Sequence, residues 1–225
     1  MIGRLAAPIF LFMVVEGYTH TRNRFNYAKR LLIGFWIMGV LNFLIPQLLP
    51  IGNMAVANNI FGTMFVSVLV MYGYDSFRQK KWLHGVVAFA LPALTAAIIL
   101  AALQTENPLI FSPLFILLPN YLTVEGGVLF VILTLSWYIF RKSRAIQMLL
   151  LAALALFLTG FWEPGFGYET LFVFDYQWMM VAAAIPLWFY NGQRGKGNKW
   201  FFYIFYPAHI YGLYIASYIY HQFFM

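Results

Sequence analysis

Apolar runs close to 20 residues long recur along this chain of 225 residues and constrain its fold more than any single motif. A helical run of that length matches the roughly 30 Å thickness of bilayer hydrocarbon. Hydrophobic residues make up 63% of the chain and charged residues only 9%, whereas a soluble domain carries about 25% charged residues. Barrel strands would instead give alternating segments of about 10 residues. The sequence therefore predicts an all-α, polytopic transmembrane helix bundle.

The apolar runs divide one membrane domain, residues 1–225, into about eight predicted spans. A shorter apolar piece, Pro108 to Leu118, cannot cross the hydrocarbon and is predicted to be interfacial or re-entrant. No internal repeat, linker or soluble domain interrupts this pattern. The predicted spans are 2–18, 31–50, 55–74, 82–103, 123–140, 145–162, 172–190 and 199–224.

The basic residues fall in every second loop, with Arg4 as the exception. The positive-inside rule then predicts that these four loops are cytoplasmic, that both termini are outside, and that the protein is a multi-pass protein of the inner membrane. The loops contain Arg22, Arg24, Lys29, Arg30, Arg78, Lys80, Lys81, Arg141, Lys142, Arg144, Arg194, Lys196 and Lys199. Five acids map to the outer side and would attract a cationic partner there: Glu106, Glu125, Glu163, Glu169 and Asp175.

Ionisable residues inside predicted spans are candidates for function, because each costs at least about 2.5 kcal/mol near the bilayer centre. Glu16 and His20 are four residues apart, so a helix would place them on one face as a carboxylate–imidazole pair. A salt-bridged helix end is the structural alternative. His209 lies about 15 Å beyond Lys199 in a helix, next to Pro207, and either lines a polar pocket or bonds to a neighbouring helix.

The basic stretch with Arg22, Arg24 and Lys29 can hold phosphates, but it also fixes topology and contacts anionic lipid, and spacing alone favours the latter. The zero cysteine count and the four histidines make a metal centre unexpected. Nucleic acid is not an expected partner, because the charge follows the loops of a membrane protein. Sequence signatures of nucleotide-binding, zinc-protease and serine-hydrolase sites are absent.

Two separated motifs resemble the TraX family, the family of the conjugative F-pilin acetylase. The first runs from Ile2-Gly-Arg4 through Pro8 to Val15-Glu16-Gly-Tyr-Thr-His20-Thr-Arg22-Asn23, and the second is Lys199-Trp-Phe-Phe-Tyr-Ile-Phe-Tyr206-Pro207-Ala-His209. The stretches Glu125-Gly-Gly-Val and Tyr138-Ile-Phe-Arg141-Lys142 resemble the middle of the family. Members usually carry one further span with an Asp-His pair ahead of the first motif, and this sequence begins at the span that follows it.

The resemblance implies a membrane acetyltransferase that moves an acetyl group from cytoplasmic acetyl-CoA to a pilin N-terminal amine or another outer acceptor, whether protein, glycan or small molecule. On this basis the predicted catalytic residues are His209, His20 and Glu16, with His209 favoured because of its depth. The predicted donor-binding residues are Arg22, Arg24 and Lys29, and the predicted substrate-binding residues are Arg4, Tyr206 and Glu125. Tyr18 is expected to be a neutral position.

Two other functions use the same residues. A transporter or channel for a small polar compound would need a path open to both faces, and the lack of a repeat counts against it. An assembly factor of a pilus or secretion apparatus would use the buried His and Glu only to brace helices. A homo-oligomer is a further possibility, since a small bundle can complete its pocket with a second copy.

Overall fold

The computed structural model of the chain describes residues 3–52, 54–105, 112–159, 167–169, 172, 176–193 and 199–224, without the side chains of residues 4, 112, 199, 200, 202 and 224. Regular structure in these ranges is entirely helical. The elements are α1 Gly3–His20, α2 Arg24–Leu48, α3 Ile60–Arg78, α4 Trp82–Leu103, α5 Ser112–Leu117, α6 Gly127–Ile139, α7 Arg144–Leu158, a 3₁₀ helix Gln177–Ala183 that continues into α8 Ala184–Trp188, and α9 Lys199–Phe224.

The predicted helical membrane bundle is confirmed. Helices α2, α3 and α4 are each long and apolar enough to cross a bilayer, and four shorter apolar helical stretches accompany them. Every predicted span overlaps a helix, and α5 lies in the piece predicted to be too short to cross. Residues 106–111, which include the start of that piece at Pro108, lie outside the described residues.

Helix α2 begins earlier than the apolar run that predicted it. The Asn23 side chain accepts a hydrogen bond from the backbone N–H of Asn26 and caps the helix. The helix then continues through Arg24, Lys29 and Arg30 before it reaches the apolar residues. Hydropathy marks where a helix enters hydrocarbon, whereas the cap marks where its backbone begins, so the two boundaries differ.

Side-chain contacts bring the first three predicted basic loops to one end of the bundle, whereas Arg194 and Lys196 of the fourth lie outside the described residues. Asp75, near the end of α3, bonds with Tyr18 at the end of α1, Arg24 at the start of α2 and Tyr138 at the end of α6. Arg144, at the start of α7, lies over the ring of Phe12 in α1. We call this region, where these helix termini meet, the basic end.

Helix α9 packs beside α2, and the two helices run in the same direction. The Tyr211 hydroxyl donates to the carbonyl of Met38 and to Asn42 Oδ1, and the Tyr214 hydroxyl donates to the carbonyl of Leu49. Later residues of α9 therefore meet later residues of α2. This register places the start of α9 toward the basic end and Phe224 toward the opposite end.

The backbone is not helical in two segments that reach into the bundle, residues 49–59 and 118–126 (residue 53 is not described). The third span was predicted from residue 55, but α3 begins at Ile60. The Asn59 side chain just before it donates from Nδ2 to the carbonyl of Phe35 in the middle of α2. Non-helical backbone at membrane depth occurs where protein buries it or where it lines a cavity. The break therefore marks a place to look for a site.

The core lies between α1, α3, α6 and the 3₁₀ helix, which pack on one another. Large aromatic side chains fill it, and Phe12, Tyr18, Phe61 and Trp137 are essentially inaccessible to solvent. Trp137 is additionally fixed by a reciprocal pair, since its Nε1–H donates to the carbonyl of Gln147 and Gln147 Nε2 donates to the Trp137 carbonyl. Tyr206 of α9 joins this core through ring contacts with Phe10 of α1 and Phe61 of α3.

Candidate functional site

The two non-helical segments approach each other at the side chain of Tyr206 in α9. This side chain contacts Glu125 in one segment and Ile60, directly after the other. The Tyr206 hydroxyl donates to Glu125 Oε2 at 2.9 Å and accepts a hydrogen bond from the backbone N–H of Ile60 at 3.3 Å. Tyr206 is 4% exposed, so both bonds lie inside the protein. The sequence suggested Tyr206 and Glu125 separately as substrate-binding residues, and the structure brings them into direct contact across 81 positions of chain.

A tight turn places Glu125 at this depth. Gly126 and Gly127 follow it with φ values of +74° and +58°, a backbone conformation that residues with a Cβ rarely adopt. Thr63 Oγ1, one turn into α3, donates to the carbonyl of Glu125 at 2.7 Å. The start of α6 and the start of α3 therefore hold the backbone of Glu125 from both sides, which leaves its carboxylate to Tyr206.

His209 lies one turn further along α9 on the same side as Tyr206. Its ring makes an edge-on contact with the Tyr206 ring at 5.5 Å between centroids and stacks on Phe205 at 5.4 Å. Nδ1 lies 3.3 Å from the carbonyl of Phe205. Because a carbonyl oxygen only accepts, this contact requires the proton on Nδ1, and the neutral ring then has a free electron pair on Nε2. The arrangement can accept a proton.

Glu125 has no basic side chain within ion-pair distance among the described part of the chain. Its carboxylate is half-buried and has the Tyr206 hydroxyl as its hydrogen-bond partner. A carboxylate in such a place attracts a cation or a hydrogen-bond donor from outside the protein, since the desolvation of the charge is not offset by a neighbouring cation.

Glu16 and His20 share one face of α1, as their spacing predicted. His20 Nδ1 lies 2.9 Å from the carbonyl of Glu16 and 3.8 Å from its carboxylate. The His20 side chain is 69% exposed and the Glu16 side chain 18% exposed. The pair is located near the basic end, on a different part of the bundle from Tyr206 and Glu125, so the two predicted histidines do not form one constellation.

The three predicted donor-binding residues differ in their surroundings. Arg22 and Lys29 are exposed at the basic end. Arg24 is half-buried: its Nη1 donates to Asp75 Oδ2 at 2.6 Å, and its guanidinium lies 4.4 Å from the centre of the Tyr18 ring. A phosphate group that approaches this end would therefore meet Arg22 and Lys29 free of the contacts that hold Arg24 in place.

Arg4 belongs to α1, but its side chain lies outside the described part of the structure, and so do Glu106, Glu163 and Asp175. Glu169 is exposed. The described residues contain no group of three or more His, Asp or Glu side chains that could hold a metal ion.

Sequence reasoning missed the role of Asp75. This carboxylate accepts hydrogen bonds from Arg24, from Tyr138 at 2.9 Å and from Tyr18 at 3.1 Å. Tyr18, which was expected to be neutral for activity, is buried and its hydroxyl has a specific partner in Asp75. An acid on the side where the bases cluster was the signal that could have revealed it, because such an acid is well placed to pair with one of them.

Comparison with known proteins identifies relatives over most of the chain. The family model described as TraX protein matches residues 1–217. A protein of Dichelobacter nodosus described as probable fimbrial assembly protein FimC, serogroup H1, is 29% identical over 217 residues, which is 93% of this chain and 78% of that protein. No solved structure matches the chain significantly.

Proposed function

Because this chain belongs to the TraX family, we propose that it is a membrane acetyltransferase that acetylates a subunit of a pilus or fimbria. The printed description of the D. nodosus relative, a probable fimbrial assembly protein, supports the link to pilus assembly. The main observation behind the proposed acetyl transfer is the half-buried Glu125 carboxylate. It accepts a hydrogen bond from Tyr206 beside His209, where two segments of the chain are not helical.

His209 is the proposed general base and Glu125 the proposed binding group for the acceptor. In the reaction, His209 Nε2 takes the proton from the acceptor nitrogen or oxygen, and that atom attacks the carbonyl carbon of the acetyl thioester. The carbon–sulfur bond then breaks, and the departing sulfur of CoA takes the proton from His209 and leaves as the thiol. Tyr206 positions the Glu125 carboxylate, because its own hydroxyl is already committed to that group.

Acetyl-CoA is the proposed donor, with Arg22, Lys29 and the Asp75-bound Arg24 as its phosphate ligands. About 21 Å of helix separates Arg24 from Met38, the residue whose carbonyl meets Tyr211 of α9 just beyond His209. An extended pantetheine arm of about 15–20 Å covers most of that depth. His20 and Glu16 lie close to where the donor would enter, and we assign them to the donor side, away from the acceptor.

We further place the basic end in the cytoplasm and both termini outside the inner membrane, as the distribution of Lys and Arg favours. Acetyl-CoA is a cytoplasmic metabolite, so this orientation puts the proposed phosphate ligands on the side of the donor. Glu125, which approaches from the opposite end, would then face the acceptor on the outer side.

The test is acetyl transfer by the chain purified in lipid nanodiscs, followed by release of the CoA thiol and by the mass of an N-terminal pilin peptide. His209→Asn is expected to lower the rate by at least about 100-fold, as loss of a general base does. Glu125→Gln is expected to act mainly on the acceptor KM, because the amide keeps a hydrogen-bond acceptor for Tyr206 but loses the charge.

His221→Asn is the matched control, since it makes the same change in the same helix at an exposed residue of the last turn. Equal rates for His209→Asn and His221→Asn would remove His209 from the chemistry. If the unaltered chain shows no acetyl transfer and cells with the His209→Asn variant assemble pili normally, the proposed enzyme activity is wrong and the protein is an assembly factor.

A further inference from the structure

A second polar feature lies next to Glu125 and Tyr206, in a pocket of about 340 Å³ between α2, α5 and the segment that precedes α3. Its walls are mainly apolar and include Phe35, Phe43, Val56, Phe115 and Ile116. Small-molecule sites in proteins have volumes of about 300–1,000 Å³ with few polar groups. The pocket is therefore large enough for one small ligand or one large side chain.

Asn59, in the wall of this pocket, has an acceptor atom that no described residue uses. The residue is 9% exposed, and its Oδ1 has no hydrogen-bond partner in the part of the chain that the structure describes. Its Nδ2 donates to the Phe35 carbonyl at 2.9 Å, so the amide cannot be turned around without setting two oxygens against each other. A buried amide oxygen without a partner is costly, by about 1–3 kcal/mol, and a ligand with an N–H or O–H group would satisfy it.

Two residues of the pocket wall, Asn59 and Thr123, adjoin the proposed site along the chain. Asn59 precedes Ile60, whose backbone N–H bonds to Tyr206, and Thr123 in the pocket wall lies two residues before Glu125. A molecule that bonds to Asn59 would therefore contact the chain one residue before Ile60, whose N–H bonds to Tyr206. Gly39 lets α5 lie close to α2 at this pocket, since a Cβ there would lie 2.8 Å from Ile116 Cγ2 in α5.

We infer that this pocket binds the acceptor molecule through a small apolar body that bears one hydrogen-bond donor, with the donor on Asn59 Oδ1. The inference rests on the proposed function, because it names the chemical class of the acceptor. It requires an acceptor whose reactive amine or hydroxyl is attached to an alkyl or aromatic group, and it excludes acceptors that are polar over their whole surface, such as sugars.

Three probes of one shape test the inference: 2-phenylethylamine, 2-phenylethanol and ethylbenzene. The chain is embedded in nanodiscs, and the thermal unfolding midpoint is measured as a function of probe concentration, since a ligand of the folded state raises it. The two donor-bearing probes are expected to bind more tightly than ethylbenzene. Asn59→Leu is expected to weaken their binding about tenfold, the size of one hydrogen bond, and to leave ethylbenzene unchanged.

Ala57→Phe is the second variant, because it fills the pocket while leaving the Asn59–Phe35 bond in place. It should abolish binding of all three probes, whereas Ala97→Phe, at an exposed position of α4 away from the pocket, should not. Equal shifts for the three probes, or shifts that survive Ala57→Phe, would overturn the inference and leave water as the partner of Asn59. Probe binding that follows these expectations in a chain without acetyl transfer would disprove the proposed activity alone.

Discussion

Asp75 and Glu125 are both carboxylates inside the bundle, and both accept a hydrogen bond from a tyrosine hydroxyl. Asp75 also pairs with Arg24 and accepts from Tyr18, so its charge and its lone pairs are satisfied within the protein. Glu125 has Tyr206 and, within the described ranges, no cation. The difference separates a group that joins helices from a group that is left available to a ligand.

The backbone around the two residues differs in the same sense. Asp75 lies in the last turn of a regular helix, where three other helix termini meet. Glu125 lies in a turn with two positive-φ glycines, beside a helix that begins inside the bundle. Regular helices satisfy their own backbone, whereas broken segments need partners and create space, so a pocket forms beside Glu125.

The largest expected effect tests the structural half of this comparison. Asp75→Ala removes the shared acceptor of Arg24, Tyr18 and Tyr138 and is expected to lower the free energy of unfolding by about 3 kcal/mol. Unfolding in detergent, followed by tryptophan fluorescence, measures the loss. Asp75→Asn keeps one acceptor oxygen and should lose less. An Asp75→Ala protein as stable as the unaltered chain would show that the helix ends do not depend on this residue.

A smaller effect is expected from Gly126→Ala, which tests the turn that holds Glu125. The new Cβ would lie 2.1 Å from the ring of Phe130 at a φ of +74°, so we expect a loss of about 2 kcal/mol and weaker acceptor binding. Gly192→Ala is the matched control, because its φ is +72° and nothing lies within 4 Å of the new Cβ. Backbone strain alone should cost it about 1 kcal/mol. Equal losses for both variants would rule out the Phe130 contact.

The smallest effect on stability is expected from Tyr206→Phe, about 1–2 kcal/mol, because its hydroxyl makes two hydrogen bonds. Its effect on acetyl transfer should be larger than its effect on unfolding, because Glu125 loses the group that positions it. Tyr214→Phe is the control in the same helix as Tyr206. It removes one hydrogen bond to the Leu49 carbonyl, so it should lower the free energy of unfolding by about 1 kcal/mol and leave the acceptor KM unaltered. If both variants changed KM alike, Tyr206 would have no positioning role.

Each residue of the site could be identified from the sequence by itself. Glu125 and His209 are ionisable residues in a chain with 9% charged residues, and the family motifs contain Tyr206 and His209. Their mutual contact was not predictable, since it joins residues 81 positions apart. The part played by Asn59 was not predictable either, since it bonds to the Phe35 carbonyl of α2 and lines a pocket that several segments form together.

The sequence alone determined that this is a helical membrane protein and where along the chain its helices lie. It also grouped the loops that are rich in Lys and Arg. Hydropathy and loop charge depend on continuous stretches of chain, and a bilayer selects for them one segment at a time. Only the tertiary structure decided that residues 55–59 are not helical, that Asp75 joins four helix ends, and that Glu125 meets Tyr206. Those outcomes depend on which distant partner satisfies each polar group, and composition does not record partners.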